Sequence, residues 1–336
     1  MSIRIVQLFR RGERRVAVVD GERLSLLAAS APSSVHALAL ESIRKTEQLA
    51  ATIEKYKGED ALAYEPVYAG GSDWRLLPSF DHPDDPAHCM VSGTGLTHKA
   101  SAENRSAMHS QSAAEITDSM RMYQMGLEAG NPAEGQIGLQ PEWFYKGNGS
   151  IVRAHGEDLE TPAYAWDGGE EPEIAGAYVI SPGGEPFRVG LSVANEFSDH
   201  RMEKKNYLYL APSKLRNCSI GPELLVGQEV FDSVPGTVRI LRGGECLWQK
   251  DIRSGQENMS YSVANLEHHH FKYQAHRRAG DVHIHFFGAD AFSFGVGLTL
   301  EQGDVMEVSF PRFGRPLRNR LKIHPGPEQL VAVGRL

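Results

Sequence analysis

The sequence predicts an α+β chain that is mainly β: a small N-terminal α/β domain over residues 1–85, then a β roll or barrel domain over residues 86–330. Three observations predict it. Short β-branched or alternating runs recur at 150–153, 174–180, 187–194, 238–241, 282–287 and 305–310, separated by Gly and Pro turns. Before them, a strand hairpin and a helical periodicity are cut off by a Pro- and Asp-rich passage at 74–86. At 336 residues the chain also exceeds the usual single-domain length.

The hairpin is Ile3 to Leu8, a charged turn from Arg10 to Arg14, then Val16 to Val19 before Asp20-Gly21. From 38 to 56, apolar Ile43, Leu49, Ile53 and Tyr56 recur at helical spacing, and Gly58 is expected to stop that helix. A second helical stretch around 113–127 runs into Glu128-Ala129-Gly130-Asn131-Pro132, a strong stop signal. Gly221-Pro222 reads as a turn.

Hydrophobic content of 41% and charged content of 23% describe a globular chain. The net charge of −8, without a basic cluster, points away from nucleic acid and anionic membranes. Residues 1–15 carry five arginines and no apolar stretch of the kind a secretory signal needs, and no run is long enough to span a bilayer. Cys89, Cys218 and Cys246 are odd in number and far apart, which argues against a disulfide framework or a thiolate zinc site. A cytoplasmic protein is expected.

Glu171 and Glu173 enter the strand at 174–180, and period-two alternation puts both carboxylates on one face. Two carboxylates so close repel unless a cation lies between them, and oxygen-only ligands favour Mg²⁺, Mn²⁺ or Ca²⁺. A solvated acidic turn would carry the same residues. Asn195-Glu196 follows another apolar strand and offers a third carboxylate, with Lys214 further on as support.

Taken in order, Glu171-Pro172-Glu173, Asn195-Glu196, Lys214 and Gly221-Pro222 resemble the fumarylacetoacetate hydrolase superfamily. Phe144-Tyr145-Lys146, Gly149-Ser150-Ile151-Val152, Gly280-Asp281-Val282, Gly303-Asp304-Val305 and the stretch 314–319 extend the match over roughly residues 86–319. The resemblance implies a mixed β-roll catalytic domain, Mg²⁺ or a similar ion on Glu171, Glu173 and Glu196, a small 2-keto acid substrate and a homodimer. It also implies substrate contacts from Lys146, Ser150 and Gly288, the last standing where the family has a Gly-Thr turn.

Two departures from the family pattern matter. The usual aspartate after Asn195 is Glu196, one methylene longer. Hydrolytic relatives carry a His-x-x-Glu dyad; here His98 matches the histidine, Ser101 takes the glutamate's place and Glu103 lies two residues late. In an extended strand Glu142 and Lys146 share a face, and a carboxylate at that strand's head resembles the 2-keto-3-deoxy-arabinonate dehydratase branch. Glu142 is then the expected general acid/base, with Lys214 or Lys146 steadying the enolate. The resulting expectation is dehydration of a 2-keto-3-deoxy-pentonate to 2,5-dioxopentanoate. The alternative is an acylpyruvate-type hydrolase using His98 and Glu103. A non-catalytic sugar-acid or metal-binding protein is the third reading.

Two histidine groups complete the reading. Glu267-His268-His269-His270 looks like a metal box, yet consecutive helical positions point apart, so a structural or interfacial role is expected. His283 and His285 share a strand face and are expected to line the pocket or pack beside it.

Overall fold

The computed structural model describes residues 2–109, 117–227 and 231–336. Strands β1 (Ser2–Arg10) and β2 (Glu13–Asp20) form the expected hairpin. Its two-residue turn, Arg11-Gly12, has positive φ at both positions (49° and 88°), the twist that matches the flanking strands. After β3 (Arg23–Leu27), the expected single helix is two, α1 (Val35–Lys45) and α2 (Leu49–Lys55). Thr46 breaks it by turning left-handed (φ 55°), with its N–H closing onto the Ile43 and Ser42 carbonyls. Gly58 does not end a helix; it lies within strand β4 (Lys57–Ala63).

The rest of the chain runs β5 (Cys89–Gly95), α3 (Lys99–His109), α4 (Asp118–Ala129), β6 (Glu142–Asn148), β7 (Pro172–Ile180) and β8 (Pro186–Asn195). Then come α5 (His200–Lys205), α6 (Leu210–Lys214), β9 (Cys218–Gly227), β10 (Val234–Arg242), β11 (Glu245–Ser254) and α7 (Val263–Phe271). Strands β12 (Val282–Phe286), β13 (Val305–Ser309) and β14 (Leu317–Ile323) complete the order. The helix expected around 113–127 is α4, starting at Asp118 behind its Thr117 cap; residues 113–116 lie outside the described residues. Gly221-Pro222 is not a turn between elements but sits inside β9, joined by a cis peptide bond.

The large sheet runs in the order β4-β3-β2-β1-β9-β8-β7-β12-β5-β6 and is antiparallel except where β12 meets β5 and where the short strand Val152–Arg153 pairs with β9. The smaller sheet pairs β11, β10, β13 and β14, with the short strand Leu159–Thr161 at its edge. The protein is therefore mainly β, with two mixed sheets and few helices. Residues 2–85 are built into the large sheet: β1 pairs with β9, Ile5 opposite Leu224. Ile5, Val35 and Leu38 share one apolar core with Ala175, Val179 and Ile284.

Every residue of β7 is buried, which explains its continuous apolar run. One face packs with α1, and the other, through Ile174, meets Val238, Val308 and Leu317 of the smaller sheet. This double cover makes the start of β7 a dry place for charged side chains.

Candidate functional site

The site forms where β8 ends beside the start of β7, with Pro172 opposite Asn195 and Glu173 opposite Ala194. Backbone bonds lock the junction. Glu196 N–H donates to the Glu171 carbonyl at 2.9 Å, and Asn195 Oδ1 accepts from the N–H groups of Glu171 (3.1 Å) and Phe197 (3.2 Å). Asn195 is thus occupied in holding the turn, and Phe197 completes it with a left-handed φ of 35°. This geometry brings Glu171, Glu173 and Glu196 together, each offering an oxygen within 4.8 Å of the others.

All three carboxylates are buried, at 8%, 1% and 0% exposure, so a solvated acidic turn is excluded. Oxygen ligands at about 2.0–2.6 Å from one ion span the observed separations, and an all-carboxylate set suits a hard divalent cation. Among the described residues no other His, Cys, Asp or Glu trio comes together in this way. Burial, with Glu196 and Glu171 alongside, pushes the Glu173 carboxyl well above its usual range. Burial and Glu171 likewise raise Glu196 to about 7. Although burial works against its charge too, Lys214 and His200 hold Glu171 well below that range. Charge is therefore crowded here beyond what the neighbouring cations neutralise, and a divalent ion would relieve it.

Two buried lysines brace the ligands. Lys146 Nζ meets Glu196 Oε1 at 2.6 Å and donates to the carbonyls of Phe197 (2.8 Å) and Lys214 (3.1 Å). Those three acceptors match its three protons, so Lys146 positions a ligand where a substrate contact was expected. A β-bulge aims it there: Val91 pairs with Gly147 and Ser92 with Tyr145, leaving Lys146 as the additional residue. Lys214 Nζ reaches Glu171 and Glu196 at 2.7 Å each, Ser198 Oγ at 2.9 Å and Glu203 at 3.1 Å. It also lies 5.0 Å from the centre of the Phe144 ring.

Glu142 is buried at the head of β6, next to Phe144 on the same strand face, and accepts a hydrogen bond from the Tyr207 hydroxyl at 3.0 Å. Gly288 touches the site through its N–H, which donates to Glu173 Oε2 at 2.6 Å. Two candidates are not brought in. Ser150 is exposed and bonds Asn148 Oδ1 through both its N–H and its hydroxyl, capping a local turn. Glu103 is exposed on α3, 3.5 Å from Lys99, while Ser101 on the same helix is buried. His98 is buried, without a carboxylate partner among the described residues.

His283 and His285 pair opposite Tyr178 and Gly176, the even positions of β7, whereas Glu171 and Glu173 occupy the odd ones. They pack away from the carboxylates. His285 bridges Ser92 and Thr94 at 2.9 Å each, and His283 bonds His270 at 3.0 Å, which in turn accepts from the Trp143 indole. Of the α7 histidines, His269 and His270 are buried and bonded within the protein, His269 to the Gly138 carbonyl and His270 to His283.

The sequence reading missed His200, whose Nε2 lies 3.1 Å from Glu171 Oε1 and whose ring stacks on Phe292 at 4.6 Å. It also missed Glu203 and Tyr207. All three lie on the excursion 200–214, and a lone histidine or tyrosine beside an acidic turn carries no pattern that marks it.

Gly288 has a φ of +100°, and a Cβ there would stand 2.0 Å from Thr97 Oγ1 and 3.0 Å from the Thr94 carbonyl. Gly288→Ala is expected to pull the N–H from Glu173 and weaken Mn²⁺ binding by roughly tenfold or more, the scale of lost support behind a metal ligand. Calorimetric titration of both proteins tests it, and an unchanged affinity would remove Gly288 from the site.

No family model matches the chain, and no curated protein matches it in sequence. Solved structures do. A 2-keto-3-deoxyarabinonate dehydratase aligns with a TM-score of 0.69 at 17% identity, over 96% of this chain and 100% of that one. A 2-keto-3-deoxy-D-arabinonate dehydratase complexed with magnesium and 2,5-dioxopentanoate aligns equally, at 0.69 and 17%, over 96% and 99%. A 5-carboxymethyl-2-hydroxymuconate delta-isomerase from Mycobacterium smegmatis aligns at 0.56 and 14%, over 96% and 100%. At such identities the likeness establishes the fold, and it is the one the motifs resemble: this chain has the fumarylacetoacetate hydrolase fold, in the form found in 2-keto-3-deoxyarabinonate dehydratase.

Proposed function

We propose that the protein is a divalent-metal-dependent dehydratase of a 2-keto-3-deoxy sugar acid, a 2-keto-3-deoxy-pentonate that yields 2,5-dioxopentanoate. The observation that carries this reading is the buried Glu142, which shares a strand face with Phe144, itself beside Lys214 and the carboxylate trio. Likeness to the dehydratase structure complexed with magnesium and 2,5-dioxopentanoate supports it. Mg²⁺, or Mn²⁺ or Ca²⁺, held by Glu171, Glu173 and Glu196 supplies electron withdrawal from a chelated 2-keto acid, which makes its C3 protons acidic.

The chain's own groups do the rest. Glu142 accepts the C3 proton, the C–H electron pair forms the C3–C4 double bond, and the C4 hydroxyl leaves as water with a returned proton. The 5-hydroxy-3-ene so formed then loses a C5 proton and regains one at C3, and the resulting C4–C5 enol ketonises, its hydroxyl proton going to C4, to give the C5 aldehyde of 2,5-dioxopentanoate. Tyr207 holds the Glu142 carboxylate by its 3.0 Å hydrogen bond. Lys146 and Lys214 keep Glu196 and Glu171 in place, and the burial of these four side chains and of Glu142 excludes water that would compete for the proton.

The hydrolase alternative needs His98 and Glu103 to act together on water. Glu103 points to solvent beside Lys99, so the dyad has no acid member from that position. Incubating the purified protein and Mg²⁺ with 2-keto-3-deoxy-pentonates and with 2,4-diketo acids tests the assignment. The expected product is the semialdehyde, lost in EDTA and restored by Mg²⁺ or Mn²⁺. Pyruvate plus an acid from the diketo substrates would overturn the dehydratase reading, and full turnover in EDTA would overturn the metal.

A further inference from the structure

His98 has a proton inventory that can be counted. Thr97 Oγ1 donates its single proton to the Phe287 carbonyl at 2.7 Å and therefore accepts from His98 Nδ1 at 2.9 Å. The imidazole proton is thus on Nδ1, and Nε2 carries a lone pair. That nitrogen is buried and has no hydrogen-bond partner among the described residues. Burial lowers the pKa of His98 to about 4, so the ring is neutral at physiological pH.

Its place in the fold is defined by the same bonds. Phe287, which anchors Thr97, is followed by Gly288, whose N–H holds Glu173 Oε2 at 2.6 Å. His98 is therefore linked, through Thr97 and the Phe287-Gly288 step, to the residue that holds a carboxylate of the trio. An acceptor left unmatched in a dry site costs stability unless something bound there donates to it.

We propose that His98 Nε2 is the specificity determinant that accepts a hydrogen bond from the terminal hydroxyl of the bound 2-keto acid, an inference that rests on the 2-keto acid reading above. The terminal C5 hydroxyl fits and the C4 hydroxyl does not. A departing C4 oxygen needs a proton delivered to it, and Nε2 has none to give. The C5 hydroxyl keeps its proton through the elimination, and so can donate it to Nε2, and gives it up only afterwards, when the C4–C5 enol becomes the aldehyde. A site with a buried acceptor also discriminates strongly against analogues that lack the matching donor.

The test uses the Mg²⁺-loaded full-length protein and two ligands without a C4 hydroxyl, so that neither can be dehydrated: 5-hydroxy-2-oxopentanoate and 2-oxopentanoate. Calorimetry on the wild type is expected to show the hydroxylated acid binding about tenfold tighter, the scale of one hydrogen bond to a desolvated acceptor. His98→Asn keeps an amide donor for Thr97 and deletes Nε2, so it should bind both acids equally, with the affinity for 2-oxopentanoate unchanged. His98→Gln, which returns an acceptor oxygen near the place of Nε2, should recover part of the preference. A preference retained in His98→Asn, or equal binding of both acids by the wild type, overturns the assignment of His98 alone. Binding of neither acid by the wild type overturns the 2-keto acid reading and this inference with it.

Discussion

Replacing Glu142 by Gln is expected to cut turnover of a 2-keto-3-deoxy-pentonate by ~100-fold or more, the usual scale of general acid/base help. Metal affinity should stay unchanged, because Glu142 lies on β6 and takes no part in the trio on β7 and β8. The amide is isosteric and can keep the Tyr207 contact, so the loss would report proton transfer and not collapse of the strand. His98→Ala serves as the control and should lose less. Nearly normal turnover in Glu142→Gln beside an inactive His98→Ala would reverse the roles and favour water activation.

Stability should fall steeply with acid. His98 and His155 are lowered by burial to about 4, and His283 and His285, also chiefly by burial, to about 3. His270 is depressed in the same direction. Each depressed histidine stays neutral in the fold while the unfolded chain takes up a proton near pH 6.5, so stability is complete above that value and is lost as pH falls towards the folded value. At pH 5 that amounts to about 2 kcal/mol per residue, or about 8 kcal/mol for the four together, comparable to the whole stability of a typical domain.

The raised carboxyls Glu170, Glu173, Glu196 and Glu223 work in the other direction, because the fold retains their protons above the unfolded value, and they return part of the loss. The net expectation is several kcal/mol lower stability at pH 5 than at pH 7 in urea titrations. His285→Gln should flatten this slope by up to about 2 kcal/mol. Equal stability at the two pH values would mean that these imidazoles are hydrated or paired after all.

The carboxylate trio was legible because its signal is local. A spacing of two at the start of an apolar run fixes the face of Glu171 and Glu173, and Glu196 ends the next apolar run. Glu103 shows where such reading fails. It stands two residues beyond the motif position, which on a helix is a rotation of about 200°, enough to carry it from the buried side of Ser101 to solvent. Lys146 was legible as a residue but not in its role, since its aim depends on a bulge that simple alternation cannot reveal.

Strands β5, β9, β11 and β14 escaped the reading for separate physical reasons. Strand β5 is built of small residues with two glycines, and β9 contains Gly221-Pro222, which ordinarily marks a turn. Strand β11 is a charged edge with little to bury, and β14 alternates Leu317, Asn319 and Leu321 among basic residues. The union of residues 2–85 with the large sheet could not be read at all, because a strand's sequence does not say which distant edge it will meet.

That union bears on how the molecule is made. Strand β1 leaves the ribosome long before β9, yet Ile5 must find Leu224, and Arg4 must find Glu223, at 3.0 Å. Until some two-thirds of the chain has been synthesised, residues Ser2 to Ile5 of the hairpin's outer edge have no strand partner, and its apolar face, Ile3 and Ile5, has only part of its core. Such long-range closure makes folding slow and leaves the nascent N-terminal segment open to wrong partners in the meantime. The charged residues Arg4, Arg10, Arg11, Arg14 and Arg15, crowded along that hairpin, act in this interval as gatekeepers against pairing with a second nascent chain.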